Sequence, residues 1–184
     1  MCKKVCVFLA DGFEETEAVT PIDMLRRAKI DTVTVGVGKK SIVSSHGLTI
    51  EADIADSEIK LNDELEAVVL PGGLKGTHNL EASEIVQGAL DFAEKSGKYI
   101  AAICAAPTVP GHKVMLSGKK ATCYKGFEGE LKGAEYINVP AVTDGKYITA
   151  RGAGASLEFG YELIKALRSK EEADRIAEQI LWDM

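Results

Sequence analysis

Residues 99–107 read Tyr99-Ile-Ala-Ala-Ile-Cys-Ala-Ala-Pro107. The first five make an apolar run of strand length. Such a run is expected where a strand is covered on both faces, as in a parallel sheet. The small residues and proline that follow suit an abrupt turn into a helix. Val5-Cys-Val-Phe-Leu-Ala10 and Ala67-Val-Val-Leu70 read the same way, and Thr32-Val-Thr-Val-Gly-Val37 is a further strand. Between these runs the apolar spacing changes to that of helices. Ala18, Ile22 and Leu25 mark a helix opened by Glu14, Glu15 and Glu17, where the dipole favours acid, and closed by Arg26 and Arg27. Pro21 is expected to kink it. Val86, Ala89, Leu90 and Ala93 form a second stripe that ends near Gly97. Buried strands alternating with amphipathic helices predict an α/β fold, with a mainly parallel sheet and helices on both faces.

The remaining segments fit around that plan. Residues 41–53 read as a small hairpin excursion, with Ile42-Val43 and Leu48-Thr-Ile50 around a Ser-Ser-His-Gly turn. Asp144-Gly145 marks a second hairpin. Lys120-Ala-Thr-Cys123 is expected as a short strand beside the one that ends at Cys104. Leu157 to Leu167 is helical. Ser169-Lys-Glu-Glu172 is a capping box that opens a last helix, with Ala173, Ile176, Ala177, Ile180 and Leu181 on one face.

The 184 residues suit one domain, 1–184, large enough to bury a full core. Apolar residues at 46% and charged residues at 27% are ordinary globular usage, against disorder or a disulfide scaffold. The 28 acidic residues outnumber the 22 basic ones, giving a net charge of −6 that disfavours a nucleic-acid role. No apolar run approaches the roughly 18 residues of a membrane span. The start, Met1-Cys2-Lys3-Lys4, runs straight into a strand too short for a secretory leader, so the chain is expected in the cytoplasm. The four cysteines include no Cys-x-x-Cys pair and no neighbouring His, so no metal site is expected. Cys2 and Cys6 share one strand face and read as packing.

In parallel sheets, sites form beyond the carboxyl ends of the strands. That selects residues 11–17, 71–76, 104–107 and 123–124. Cys104, between small residues at a strand-to-helix turn, suits a nucleophile elbow, where a helix N-terminus favours the thiolate. A buried, inert thiol is the alternative. Glu17 would face Cys104 if the first and fourth strands, those ending at Ala10 and Ile103, were neighbours. Its carboxyl would then be pushed toward the protonated form. The alternative for Glu17 is a solvated first-turn acid. Gly73 and Ala105 N–H groups are candidates for an oxyanion hole. The run Pro71 to Gly76 is not a phosphate-binding P-loop, because no Gly-Lys-Ser/Thr follows.

Four segments carry a family resemblance: Ala10-Asp-Gly-Phe-Glu-Glu-Thr-Glu-Ala18, Val68-Val-Leu-Pro-Gly-Gly73, Ala101-Ala-Ile-Cys-Ala-Ala-Pro107 and Thr149-Ala-Arg-Gly-Ala-Gly-Ala-Ser156. In this order and spacing the chain resembles the ThiJ/PfpI superfamily, in the branch of the Parkinsonism-associated deglycase and its bacterial relatives. The resemblance implies a flavodoxin-like three-layer sandwich and a homodimer. It implies Cys104 as the reactive cysteine, Glu17 as its protonated partner, and the Gly73 and Ala105 amides as the anion-binding pair. It implies cofactor-free chemistry on small reactive carbonyls or glycated proteins. Redox sensing or chaperoning through Cys104 is one alternative, and amidase or peptidase activity another. The chain departs from the pattern in three places. Tyr124 stands where relatives carry His, Ala153 replaces a common Pro, and Pro110-Gly111 bends or shortens the helix after the elbow.

The three imidazoles and a second cysteine are further candidates. His78 follows the glycine loop and is the imidazole placed best to approach a pocket. His46 lies in the hairpin turn, and His112 is more than two helical turns past Cys104. Cys123 would resolve an oxidised Cys104 as a disulfide, or simply wall the pocket together with Tyr124.

Overall fold

The interior strands are apolar on both sides because both sides are covered. Along strand β1 (Lys4–Leu9), Val5, Val7 and Leu9 enter one core while Cys6 and Phe8 enter the other. The computed structural model describes residues 3–183. The chain continues as α1 (Glu15–Arg27), β2 (Asp31–Gly36), β3 (Ser41–Val43), β4 (Thr49–Glu51) and β5 (Ile54–Ala55). Then follow β6 (Leu65–Leu70), α2 (Leu74–Ala82), α3 (Glu84–Lys95), β7 (Tyr99–Ile103) and α4 (Thr108–His112). It closes with β8 (Lys120–Ala121), β9 (Glu135–Tyr136), β10 (Ala141–Asp144), β11 (Tyr147–Ala150), α5 (Ser156–Leu167) and α6 (Lys170–Gln179).

A seven-stranded sheet in the order β10-β11-β7-β6-β1-β2-β5 is parallel except at β10, which pairs antiparallel with β11. Helices α1, α5 and α6 cover one face through Leu25, Phe159 and Ile176. Helices α2, α3 and α4 cover the other through Leu80, Leu90 and Val109. This is the three-layer α/β sandwich the alternation predicts. From β1 the chain goes to β2 on one side and later to β6 on the other. The site region therefore opens at a topological switch point.

Several expectations are corrected. The strands ending at Leu9 and Ile103 are not neighbours, because β6 lies between them. The strand at residue 120 is two residues long and pairs with β9 in a separate sheet, not with β7. Helix α2, in the run read as a glycine loop, has only two large apolar residues to mark it, one of them exposed. Leu181 does not join the face of α6. The helix stops at Gln179, and Leu181 is 88% exposed at φ +57°. Helix α1 runs unbroken through Pro21. Ser169 caps α6 by accepting the Glu172 N–H. Cys6 is buried and packs as expected, while Cys2 lies outside the described residues.

The helix after the elbow is short. Gly111 sits against the next segment so closely that a Cβ would lie 2.6 Å from the Glu130 carbonyl oxygen. His112 ends α4 with Nδ1 on Glu81 of α2 and Nε2 on Glu130. The two carboxylates raise the His112 pKa. The folded state then holds a proton that the unfolded chain releases. The stabilisation is complete below the ordinary imidazole value and is lost as pH rises through the raised one. His112→Gln is expected to cost about 1 kcal/mol at pH 6 and less at pH 9, because these groups are partly exposed. Urea unfolding at the two pH values checks this, and an equal loss at both would contradict it.

Candidate active site

Cys104 is the first residue beyond β7 and has φ +66°, a left-handed conformation that costs a non-glycine residue about 1–3 kcal/mol. The surroundings enforce it. The Cys104 N–H donates to the Ala150 carbonyl (2.9 Å), and its carbonyl accepts the Tyr124 N–H (2.7 Å). Ala105 is fixed in turn, its carbonyl accepting both the N–H and the hydroxyl of Thr108 at 3.1 and 2.8 Å. The side chain is thereby thrown out of the strand line, and the residue is neither sealed nor fully open. The backbone N–H groups of Gly73 and Ala105 are near enough to Sγ to favour its charged form, and the Glu17 carboxyl beside it opposes that.

Glu17 sits in the first turn of α1, only 1% exposed. The Glu14 side chain caps that helix by accepting the Glu17 N–H at 2.9 Å. The Glu17 carboxylate accepts the Gly72 N–H at 3.0 Å, and the nearby Ala153 N–H favours its charged form.

Glu17 follows β1 and Cys104 follows β7, so the two meet across the end of β6. Gly72 makes this possible. A Cβ there would lie 2.4 Å from Glu17 Oε2 and 2.6 Å from Cys104 Cβ. The motif reading named Gly73 and passed over Gly72. The available signal was the glycine pair following a central strand, but the need for it appears only with the strand order. Gly72→Ala is expected to cost about 1–3 kcal/mol through overpacking and to part Glu17 from Cys104. An unchanged urea midpoint would contradict this. Gly73 has its own reason to be glycine: its φ is +87°, and a Cβ would lie 2.4 Å from the Gly12 carbonyl oxygen.

Burial pushes the Glu17 carboxyl up to about 7, the hydrogen bonds from Cys104, Gly72 and Ala153 opposing it. Burial and the Glu17 charge push the Cys104 thiol up to about 12, against the pull of the two amides. A thiolate favoured by the helix terminus alone is therefore not what the surroundings produce. The two groups are coupled, so a charge on either one raises the pKa of the other. With Glu17 protonated the sulfur loses its opposing charge, while the two amides still favour the thiolate.

The other expected residues are dispersed. Tyr124 is half-exposed beside Gly152, where a Cβ would lie 3.3 Å from its Cδ2 and 4.0 Å from Glu17 Oε1. Cys123 is buried, free, and pushed up to about 12 by desolvation. His78 is exposed on α2 and does not line the cavity at Tyr124. His46 binds Glu15, and His112 binds Glu81 and Glu130. Thus no imidazole is held at the sulfur among these.

A parallel α/β sandwich with a buried carboxyl and two amides around a cysteine on a left-handed elbow defines a cysteine-centred class of site. The chain belongs to the DJ-1/PfpI family, whose model matches residues 3–166. It is 36% identical over 184 residues to Protein dj-1beta of Drosophila melanogaster, covering 98% of each chain. It is 31% identical to the Glutathione-independent glyoxalase DJ-1 of Schizosaccharomyces pombe, covering 94% of this chain and 95% of that one. The solved structure of oxidized Toxoplasma gondii DJ-1 superposes with a TM-score of 0.94 at 32% identity, over 99% of this chain and all of that one. Among the described residues no helix is long and apolar enough to cross a membrane.

Proposed function

We propose that the chain is a cofactor-free cysteine enzyme acting on small reactive carbonyl compounds or their protein adducts. The supporting observation is the group around one sulfur: Cys104 on its elbow, Glu17 behind it, and the Gly73 and Ala105 N–H groups aimed at the same place. With methylglyoxal, Sγ adds to the aldehyde carbon and the new oxygen takes the Glu17 proton, held near the two amides. The Glu17 carboxylate then moves the aldehyde-carbon proton to the neighbouring carbon, while the hydroxyl proton passes to the ketone oxygen. That carbon is oxidised to a thioester as its neighbour is reduced to an alcohol. Water cleaves the thioester to lactate and a released proton, and the proton of the departing thiol returns to the Glu17 carboxylate, restoring the thiolate. The sum is methylglyoxal plus water to lactate and one proton, with no external oxidant. Purified protein supplied with methylglyoxal and no glutathione is expected to form lactate. Absence of turnover sinks the reading. The named activity of the fission yeast relative supports it.

A second reading rests on the same donors. A sulfinate on Cys104 would be held by the amides and a protonated Glu17, making the cysteine an oxidation sensor. Intact mass after mild peroxide separates the two: a gain of two oxygens at Cys104 without carbonyl turnover favours the sensor. The amidase reading lacks its imidazole. Exposed Val19 on α1 and Val43 and Leu48 on the β3–β4 hairpin support a homodimer.

A further inference from the structure

At the segments that hold the Cys104 backbone lies an open cavity of about 440 Å³, walled by Cys123, Tyr124, Lys125, Tyr136 and the Arg151–Ala155 turn. Its charged lining residues are Lys125 and Arg151, with no carboxylate among them. In a chain of net charge −6, a cavity lined by cations alone runs against the bulk composition. Four of the five arginines hold carboxylates: Arg26 on Asp53, Arg27 on Asp23, Arg168 on Glu66 and Arg175 on Glu172. Among the described residues Arg151 forms no ion pair. Lys125 has Glu128 in its neighbourhood, whose carboxylate instead accepts the Gly126 N–H, so Arg151 is the freer cation.

The cavity adjoins the cysteine through shared backbone. Arg151 directly follows Ala150, which holds the Cys104 N–H, and the Arg151 N–H is itself fixed on the Pro140 carbonyl at 3.0 Å. Tyr124 is tied to the Cys104 carbonyl and stands at Gly152, near Glu17 Oε1. A molecule with its carbonyl at Sγ and its far end in this cavity would meet Tyr124 and Arg151, which both line it. A guanidinium fork matches a carboxylate or phosphate in two hydrogen bonds. Two cations at the mouth also draw anions that the net charge repels.

We propose that this cavity is the subsite for an anionic substituent of the substrate, with Arg151 as its anchor, so that the preferred substrates are reactive carbonyl compounds carrying a carboxylate or phosphate. This rests on the carbonyl chemistry proposed above and names its substrate class. The test compares kcat/KM for hydroxypyruvaldehyde phosphate and for methylglyoxal, the neutral reference. The wild-type ratio is expected to be about 10 or more. In Arg151→Gln it is expected to fall about 10- to 100-fold, in line with the loss of charge-assisted hydrogen bonds, and Arg151→Lys should restore part of it. A wild-type ratio near one, or a ratio unmoved by Arg151→Gln, overturns the proposal. If neither compound is turned over, the carbonyl chemistry fails and the subsite is judged alone. Calorimetry with Cys104→Ser protein and phosphoglycolate should then show binding, weakened about tenfold or more by Arg151→Gln. Absence of binding, or equal binding by both proteins, overturns the subsite.

Discussion

Cys104→Ala is expected to abolish glutathione-free lactate formation, lowering kcat/KM by at least about 10³-fold. Removing a covalent nucleophile leaves only what binding and polar stabilisation supply, and losses of this size or larger follow. The substitution removes one atom, the sulfur, and keeps the hydrogen bonds of the elbow from Cys104 N–H to Ala150 and from Tyr124 N–H to the Cys104 carbonyl. The fold is therefore expected to persist, with a near-native circular dichroism spectrum and melting point. Cys104→Ser sharpens the result. Its hydroxyl can take the place of the thiol between the amides, but it is far less acidic, so turnover should be lost just as completely. Equal turnover by wild type and Cys104→Ala would show that the lactate arises elsewhere, through buffer catalysis or a contaminant. The proposed chemistry would then be abandoned.

The parts of this site that were readable from the sequence are those set by local chain chemistry. A strand apolar on both faces must be covered twice, so Val5–Ala10, Ala67–Leu70 and Tyr99–Ile103 announced a parallel sheet. Small residues after Ile103 announced a tight turn, and Cys104 stands at φ +66° there. What was not readable depends on pairing order. Nothing in residues 4–9 or 99–103 says that β6 lies between them. The need for Gly72 to carry no side chain was therefore invisible, although the meeting of Glu17 with Cys104 depends on it. Helix α2 was missed because its buried face includes Gly76 and Thr77, with Leu80 alone as a large apolar residue. The strand at Lys120 was given to the wrong sheet because two residues of pairing carry almost no pattern. Ile180 and Leu181 continued the apolar spacing of α6, but the chain leaves the helix at Gln179, and spacing alone does not locate that exit.

Glu17→Gln is expected to raise stability at alkaline pH while nearly removing activity. The carboxyl is moved from its ordinary value of 4.5 to about 7, chiefly by burial. Between those values the folded protein holds a proton that the unfolded chain has released, so stability falls as pH rises across the window. Above about pH 7 the folded state carries the full penalty of one buried negative charge in the pair, worth about 3 kcal/mol. Glutamine has nearly the same shape, its amide oxygen can accept the Gly72 N–H, and it has no charge to desolvate. Urea unfolding should therefore show Glu17→Gln more stable than wild type by about 3 kcal/mol at pH 8.5, with the difference vanishing near pH 4. A gain at both pH values, or a loss at pH 8.5, would contradict this. The same substitution removes the proton carrier, and general acid–base losses of about 10²- to 10⁴-fold in kcat follow. It also tests where the charge of the pair resides. If the working form places the proton on Glu17 and the charge on Sγ, glutamine returns the sulfur to a buried neutral thiol, and alkylation of Cys104 by iodoacetamide at pH 7.5 slows. If alkylation accelerates instead, the charge had been on the carboxylate and was suppressing the thiolate, and Glu17 is no proton donor to the reaction.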